Sequence, residues 1–455
     1  MERERLGSRL GFILLSAGCA IGIGNVWKFP YITGENGGGI FVLIYLFFLL
    51  ILGIPVMTME FALGRGSQKS PVALHKQLEP KGSKWHFHGY ACLAGNVILM
   101  MFYSCVCGWM LNYFIQTAAG AFVGMNAADI KSAFNATLAH APTQVGYALF
   151  VVALGFLVCS IGLQKGLERI TKWMMLALLV IMVILAINSS LTPGGREGLK
   201  FYLLPSIQRL KEAGVGKVIV AAMNQAFFTL SLGMGSMAIF GSYIGKERSL
   251  LGESINVAVL DTFVAFTSGL IIFPACFAYG VEVDSGPDLL FITLPNVFNS
   301  LAGGRFWGSL FFLFLSFAAL STVFTVDESI VSCVMDLTGW NRKKTCLICC
   351  GAMMVLVQPC ALGWSLLKDV HPFGGTSLIM DLEDFLVSNC LLPLGSLLFV
   401  LFCTSRYGWG WENFLKEANE GNGLKFPRWI RPYCTYVLPV IILVLFAIGI
   451  YDFFK

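Results

Sequence analysis

The sequence carries little charge for its length. Charged residues make up 13% of its 455 residues, hydrophobic residues make up 56%, and the mean hydropathy is +0.75. A typical soluble domain has about 25% charged residues, which cover its surface. The net charge of +5 is small and the basic residues lie in loops, so nothing points to a nucleic-acid partner. This composition excludes a soluble globular protein and indicates a multi-pass protein of the lipid bilayer.

The sequence also lacks the usual patterns of catalytic and metal centres. Its five histidines lie in or near loops without a partner motif, so we predict that the protein is not an enzyme. The 14 cysteines are scattered mostly through apolar runs, where cysteine behaves as a small hydrophobe. Cys346, Cys349 and Cys350 have CxxC spacing without a second pair nearby, which favours packing over metal or redox chemistry. We expect no signal peptide, because the charged N-terminus leads directly into a long apolar run.

Eleven apolar runs are candidates for membrane-spanning helices. Lysine and arginine are frequent in the loops at 65–85 and 405–431 and in the cluster at 342–344, and scarce at 120–144 and 282–304, with the loop at 189–216 as an exception. Because basic loops stay in the cytoplasm, we predict a cell-membrane protein with a cytoplasmic N-terminus and an external C-terminus. The runs are 10–33, 39–64, 87–119, 145–163, 168–188, 217–243, 252–281, 305–335, 344–365, 379–404 and 432–453.

The first run is interrupted by small residues at its centre. Gly18, Gly22, Gly24 and Asn25 lie where a spanning helix would be deepest in the bilayer. Each glycine costs a helix about 1 kcal/mol, and unwound backbone at this depth is tolerated only where it is buried in protein or lines a polar cavity. We interpret the stretch as a broken helix whose freed amides and carbonyls face a binding site. A packing seam of small residues explains this stretch, taken alone, equally well.

The run 217–243 has a similar interruption, with small and polar residues from Asn224 to Gly235. Gly22 and Gly233 are separated by close to half the chain. Two interrupted spans at corresponding positions of two halves are typical of inverted-repeat transporters, in which the substrate binds between the halves. The pairing therefore favours broken helices over packing seams. Half-helix N-termini would face an anionic group, and freed carbonyls would bind a cation.

Several longer motifs resemble the neurotransmitter:sodium symporter family. The resemblance runs from Arg9 to at least Asp384, and the short loops and eleven spans are similar to those of the prokaryotic amino-acid members. It implies an all-α, leucine-transporter-like fold with two inverted five-helix repeats and broken helices 1 and 6. Within a single domain at 1–455, the repeats would be 10–190 and 217–404, with an extra peripheral helix at 432–453. The motifs are RLGF at 9–12, GIGNVWKFP at 22–30, ENGGG at 35–39, GIP at 53–55 and FFTLSLG at 227–233.

The resemblance implies two sodium ions bound beside the substrate. Sodium is a hard cation that prefers oxygen ligands from carbonyls, hydroxyls and amides. Without the family context, the hydroxyls of Ser321 and Thr322 would more simply bond back to their own helix. The first site would contain Ala20, Asn25, Thr229 and Asp261, and the second would contain Gly18, Ile21, Ala318, Ser321 and Thr322.

The carboxylate of Asp261 leads to two further hypotheses. Chloride-dependent family members hold a chloride near the first sodium site, where this chain keeps the polar residues Tyr45, Gln225 and Thr229. A buried carboxylate in a membrane is costly and usually functional, and Asp261 would supply the fixed negative charge instead of chloride. We therefore expect no chloride requirement. We also hypothesise that Asp261 takes up a proton on the empty return step, which would give proton counter-transport.

The resemblance implies an amino-acid substrate. Its carboxylate would meet the amides of Gly22 and Gly24, the first sodium ion and the hydroxyl of Tyr103, and its ammonium would meet freed carbonyls and Ser231. Amine-transporting members carry an aspartate where Gly22 stands, so an amine without a carboxylate is disfavoured. An apolar lining favours a hydrophobic side chain, although each lining residue taken alone could be ordinary core. The lining residues are Leu99, Phe228, Met234 and Val326, with Thr229 beside them.

Two gates also follow from the resemblance. Lys28 and Asp384 would form the outer gate above a lid of Tyr103 and Phe228, although interfacial snorkelling would also explain the charged pair. The family usually has arginine at the first position, and lysine cannot make a bidentate contact, so this gate should be weaker or water-mediated. Glu60 is expected to bond to freed backbone at a helix break. The inner gate would comprise Arg3, Tyr243, Glu328 and Asp336.

The function predicted from these features is sodium-coupled import of an aliphatic or aromatic amino acid by alternating access. The alternative is another sodium- or proton-coupled transporter of the same fold with a different small substrate. A ligand-gated channel would need repeated polar faces rather than paired helix breaks, and a non-transporting sensor with this fold stays open. A homodimer also stays open.

Overall fold

The computed structural model describes residues 4–280, 288–299, 301 and 303–454, and regular structure within these ranges is helical. Several helices begin at a polar residue whose side chain accepts a bond from the first turn, as the orphan amides of a helix N-terminus require. Ser8 accepts from Gly11 N–H at the first helix. The helices in the first half are α1 (Arg9–Ala20), α2 (Gly24–Glu35), α3 (Gly39–Ser67), α4 (Pro71–Leu78), α5 (His86–Ala119), α6 (Ala127–Ala139), α7 (Ala141–Ser160), α8 (Leu163–Ser190), α9 (Arg196–Leu203) and α10 (Ile207–Ala213).

The second half contains the two helices that flank the other interruption and the helices that follow them. α15 packs against α1, α5, α7 and α8, so it lies at the centre of the bundle. Both α5 and α15 end at a glycine with positive φ, which closes a helix without a Cβ clash. The helices are α11 (Val215–Phe228), α12 (Ser236–Ser242), α13 (Leu250–Ala278), α14 (Leu289–Asn299), α15 (Gly304–Thr338), α16 (Arg342–Leu362), α17 (Ile379–Thr404), α18 (Trp411–Ala418) and α19 (Arg428–Phe453).

Each of the eleven predicted runs contains helix in the structure, and residue 281, at the end of one run, lies outside the described residues. Over the described ranges, nine helices are individually long and apolar enough to cross a membrane, and α1 with α2 forms a tenth, bent span. The remaining run, 217–243, contains α11 and α12, which are both too short to cross a bilayer alone. The chain is therefore an all-α polytopic membrane protein with two interrupted spans, as predicted.

The connections contain more helix than the sequence predicts. The interpretation of 282–304 as loop is wrong for α14, whose first residues are buried. The ring of Phe291 stacks on Phe134 of α6 with centroids 5.0 Å apart and meets Tyr113 of α5 at 4.9 Å. These contacts are long-range aromatic packing, which a local pattern of residues does not reveal.

Candidate functional site

The first break separates α1 from α2 by three residues and bends the chain by 62°. A Cβ on Gly22 would lie 2.8 Å from Tyr103 Oη, and one on Gly24 would lie 2.9 Å from the Phe228 ring, so a larger residue at either position would displace one of these rings. Gly22 N–H donates to Asn25 Oδ1 at 3.2 Å. The amide that contacts Tyr103 Oη, at 3.2 Å, belongs to Ile23, a residue that the sequence analysis missed.

The second break runs from Thr229 to Gly235, between α11 and α12. Ser231, Gly233 and Gly235 have φ values of 50°, 101° and 75°, and three left-handed residues in so short a stretch cannot continue a helix. Gly233 N–H donates to Glu60 Oε1 at 2.6 Å, which confirms the expectation that Glu60 bonds to freed backbone. A Cβ on Gly233 would lie 2.1 Å from the Leu392 carbonyl oxygen, so the break sits directly against the backbone of α17.

The two breaks meet each other. Ser231 Oγ donates to the carbonyl of Cys19, next to the end of α1, at 3.4 Å. Asn25 Nδ2 donates to Thr229 Oγ1 at 3.1 Å. A packing seam of small residues therefore does not explain either stretch, because both are unwound and are joined by side-chain hydrogen bonds.

Three of the residues predicted for the first sodium site lie in one buried cluster. Asn25 Nδ2 donates to Asp261 Oδ1 at 2.7 Å, and Thr229 Oγ1 donates to Asp261 Oδ2 at 2.8 Å. Asp261 is 0% exposed on α13. Ala20, the fourth predicted residue, is the last residue of α1. The carboxylate and hydroxyl oxygens of this cluster suit a hard cation. Asn25 presents Nδ2 to them, whereas its Oδ1 accepts from Gly22 N–H.

The residues predicted for the second sodium site also lie together. Thr322 Oγ1 is 3.2 Å from the carbonyl oxygen of Ile21, 3.4 Å from that of Gly18 and 3.5 Å from that of Ala318. Ser321 Oγ bonds back to Ala318 O at 2.8 Å. Ser321 therefore bonds back to its own helix, whereas Thr322 also contacts the carbonyls freed where α1 ends. A hydroxyl ringed by carbonyl oxygens again fits sodium.

Tyr45 and Gln225, predicted at the anion position, are buried to 0% and 1% exposure. Within the described chain, Tyr45 Oη and both polar atoms of the Gln225 amide have no hydrogen-bond partner. Buried polar groups are nearly always bonded, so this pair marks a place where a polar ligand or water belongs.

The residues predicted for the substrate pocket lie around the breaks. Tyr103 and Phe228 border the first break through the contacts of Gly22 and Gly24. Leu99 lies one turn before Tyr103 on α5, and Val326 lies one turn after Thr322 on α15, so each shares a helix face with its neighbour. Met234 is buried in the second break, where its carbonyl accepts from Asn96 Nδ2 at 3.1 Å.

The outer gate differs from the expected ion pair. Lys28 Nζ lies 3.7 Å from the ring centroid of Phe228, so the lysine covers the predicted lid as a cation–π contact. Asp384 is exposed and its Oδ1 accepts from Ser388 Oγ at 2.7 Å. Among the ion pairs of the described residues, none joins Lys28 to Asp384. The ammonium is a compact charge that can lie on a ring face without a carboxylate partner. The weaker outer gate stays a prediction.

The cluster predicted as the inner gate contains a further residue that the sequence analysis did not assign to it. Tyr243 Oη donates to Glu328 Oε1 at 2.6 Å, as predicted. Arg342 Nη1 also pairs with Glu328 Oε2 at 2.6 Å and its Nε reaches Glu4 at 3.1 Å, although Arg342 was assigned only to a basic loop. Asp336 Oδ2 accepts from Ser70 N–H at 2.8 Å, just before α4. Arg3, the other predicted member, lies outside the described residues.

The comparisons with known proteins agree with this geometry. The model of the sodium:neurotransmitter symporter family matches residues 3–126 and 139–455. An uncharacterized sodium-dependent transporter, YhdH of Bacillus subtilis (strain 168), is 35% identical over 451 residues, which cover 98% of each chain. An uncharacterized sodium-dependent transporter of Haemophilus influenzae is 30% identical over 463 residues, covering 99% of each.

A solved structure is similar over the same length. The crystal structure of MhsT in complex with L-phenylalanine superposes with a TM-score of 0.86 at 36% identity, covering 98% of this chain and 99% of that one. The agreement extends to the whole helical architecture rather than to one motif. The protein is therefore an integral membrane transporter rather than an enzyme, and the chain belongs to the sodium:neurotransmitter symporter family.

Proposed function

We propose that the protein imports a hydrophobic amino acid together with two sodium ions by alternating access, and that it does so without chloride. The observation that carries the proposal is the meeting of the two helix breaks through Asn25, Thr229 and Ser231. Breaks that converge in this way offer freed amides, freed carbonyls and hydroxyl oxygens to one small volume. A zwitterion and its cations need such a combination of groups.

The pocket composition supports the choice of substrate. The hydroxyl of Tyr103 and the amides of the first break would bind the substrate carboxylate. The Gly22 and Ile23 amides now donate to Asn25 Oδ1 and Tyr103 Oη and would exchange those acceptors for it. The lining contributed by Phe228, Met234 and Val326 is apolar, and a charged side chain there would be left unpaired. MhsT, with the same fold, was solved with L-phenylalanine. We take an aliphatic or aromatic amino acid as the substrate.

The charge of Asp261 supports chloride independence. Two sodium ions and a zwitterion leave a positive excess, and Asp261 lies between Asn25 and Thr229 at the first ion site. Two anions about 4 Å apart repel by about 4 kcal/mol at the effective dielectric constant of a protein. A chloride placed beside Asp261 would therefore bind weakly, unless the carboxyl were protonated.

The arrangement in the membrane is part of the same proposal. The end of the bundle where α1 begins would face the cytoplasm, with the inner gate at Glu328, and Lys28 would face outside the cell. The repeats would be 10–190 and 217–404, with 432–453 peripheral to them. Sodium and substrate binding would close the Lys28–Phe228 lid, after which the inner gate would open. The driving force is the differential affinity of the ligands for the two states.

Uptake into proteoliposomes tests the proposal. Wild-type protein should accumulate radiolabelled L-phenylalanine or L-leucine when an inward sodium gradient is imposed, and not when potassium replaces sodium. Replacing chloride with gluconate should leave the rate unchanged. Thr322→Val removes a hydroxyl that faces three carbonyls and should abolish sodium-driven uptake.

Ser316→Ala is the matched control for this variant. Ser316 is a buried hydroxyl on the same helix, but it bonds only to its own helix at Phe312 O. It should transport like the wild type. Sodium-independent uptake, or equal loss in both variants, would contradict the proposed ion site, and loss of uptake in gluconate would contradict chloride independence.

A further inference from the structure

Two buried histidines connect α4 to the second helix break. His75 on α4 and His88 on α5 are 0% and 5% exposed. His88 Nδ1 lies 3.2 Å from His75 Nε2, and His88 Nε2 lies 3.5 Å from Cys92 Sγ. Cys92 Sγ in turn lies 3.8 Å from the carbonyl oxygen of Gly233. A continuous hydrogen-bonded chain therefore runs from α4 to the break in 217–243.

The direction of the hydrogen bonds follows from one end of the chain. His75 Nδ1 lies 3.3 Å from the carbonyl of Pro71, which can only accept, so Nδ1 carries the hydrogen. In neutral His75 the Nε2 atom then accepts, and His88 Nδ1 must donate to it. His88 Nε2 is left as an acceptor, so the single Cys92 S–H is shared between it and Gly233 O. An added proton therefore enters at His88 Nε2, which can then no longer accept from the thiol.

The surroundings favour the neutral pair in this conformation. The His88 ring meets Phe399 edge to face at 4.4 Å, and the His75 ring lies 4.8 Å from Phe402. Burial lowers the pKa of His75 to about 4, since the charged imidazole would lose its water. The titratable groups that act on His75 or Cys92 are Glu60 on α3, Glu79 between α4 and α5, His86 on α5 and Cys333 on α15.

The backbone of Gly233 is held from both sides. Its N–H donates to Glu60 of α3, and its carbonyl faces Cys92 of α5. α4 joins α3 to α5, so its position is linked to both contacts. Any movement of the broken segment away from α5 must lengthen the contact between Cys92 and Gly233, and Cys92 also contacts His88.

We propose that the His75–His88 pair is a proton-binding site through which acidification of the α4 side of the membrane releases the second break from α5. The inference rests on the proposed alternating access, because the released state is the one in which water reaches the pair. In the proposed transport cycle, the pH inside the cell would therefore control how readily the inner face opens.

The direction of the pH effect follows from the different proton affinities of the packed and the open state. In the packed state His75 binds a proton only near pH 4, whereas a histidine exposed to water has its ordinary pKa of about 6.5. The packed state therefore binds fewer protons, and its stability relative to the open state is lost as the pH falls below about 6.5. The expected shift is roughly tenfold in the opening equilibrium between about pH 7.5 and about pH 5.5.

Hydrogen–deuterium exchange in lipid nanodiscs, without substrate, tests the site separately from transport. After correction for the intrinsic pH dependence of exchange, protection of the α4 amides should fall roughly tenfold between those two pH values. The paired substitution His75→Phe with His88→Phe should remove the fall. His140→Gln, which alters an exposed histidine, should keep it. Unchanged wild-type protection, or a fall that survives in the paired variant, would overturn the proposal.

A second variant covers the case in which the paired variant does not fold. Cys92→Ala leaves both histidines in place but cuts their link to Gly233. Protection of α4 should still fall with pH, whereas protection of residues 229–235 should become independent of pH. Coupled behaviour in Cys92→Ala would refute the route through the thiol. Because no substrate is present, a failure of uptake in proteoliposomes would leave this result standing.

Discussion

Replacing Asp261 by asparagine tests how this transporter balances its cations. The substitution keeps the size of the side chain and removes its charge, while Asn25 and Thr229 keep a partner. A sodium ion about 4 Å from a carboxylate gains about 4 kcal/mol at an effective dielectric constant of 20, as an upper bound. Part of this gain is offset by desolvation, so we expect a loss of about 3 kcal/mol.

That loss corresponds to sodium affinity roughly one hundredfold lower. The measurement is a sodium titration of the thermal unfolding midpoint at constant ionic strength, with the wild type and Thr229→Ser as references. Because Tyr45 and Gln225 have free polar atoms nearby, chloride should restore part of the affinity in Asp261→Asn and have no effect in the wild type. Unchanged sodium affinity in the variant would refute the assignment of Asp261 to the ion site.

Two further predictions concern packing and the outer lid. A Cβ on Gly155 of α7 would lie 2.0 Å from Asp327 Oδ2, so Gly155→Ala should destabilise the protein by about 1–3 kcal/mol and lower the thermal unfolding midpoint by several degrees. Gly146→Ala on the same helix is the control, because a Cβ there meets nothing within 4 Å and the midpoint should not fall. Equal midpoints in the two variants would contradict this prediction. Lys28→Met removes the cation–π contact with the Phe228 ring, which contributes about 1 kcal/mol. Release of bound amino acid to the outside should become roughly fivefold faster in a stopped-flow or filter assay. An unchanged release rate would argue against the lid.

The breaks were predictable because their cause is local. Glycine and polar residues at mid-span raise the free energy of a helix wherever they occur. Gly22 and Gly233 have this effect at corresponding positions in the two halves of the chain. The family motifs then indicated which side chains face the breaks, and the structure brings Asn25, Thr229 and Asp261 together. Thr322 was separable from Ser321 only in three dimensions, since two adjacent hydroxyls look alike in sequence.

The features that escaped prediction depend on distant partners. In the sequence Arg342 is one residue of a basic loop. Its pairing with Glu328 could be predicted only from the geometry of the turn between α15 and α16. Helix α14 is stabilised by rings of α5 and α6 rather than by its own sequence. Lys28 was expected to approach Asp384, yet the nearer ring of Phe228 holds it. The contact of Cys92 with Gly233 has no sequence signal at all.

The two ends of the transporter are closed by bonds of unequal strength. At the outer end a single ammonium rests on a phenyl ring, whereas at the other end Glu328 is bound by a guanidinium and a phenol. In the proposed orientation, opening to the outside would break one cation–π contact, whereas opening to the cytoplasm would break the bonds of Glu328. The closed molecule would therefore open more readily to the outside than to the cytoplasm.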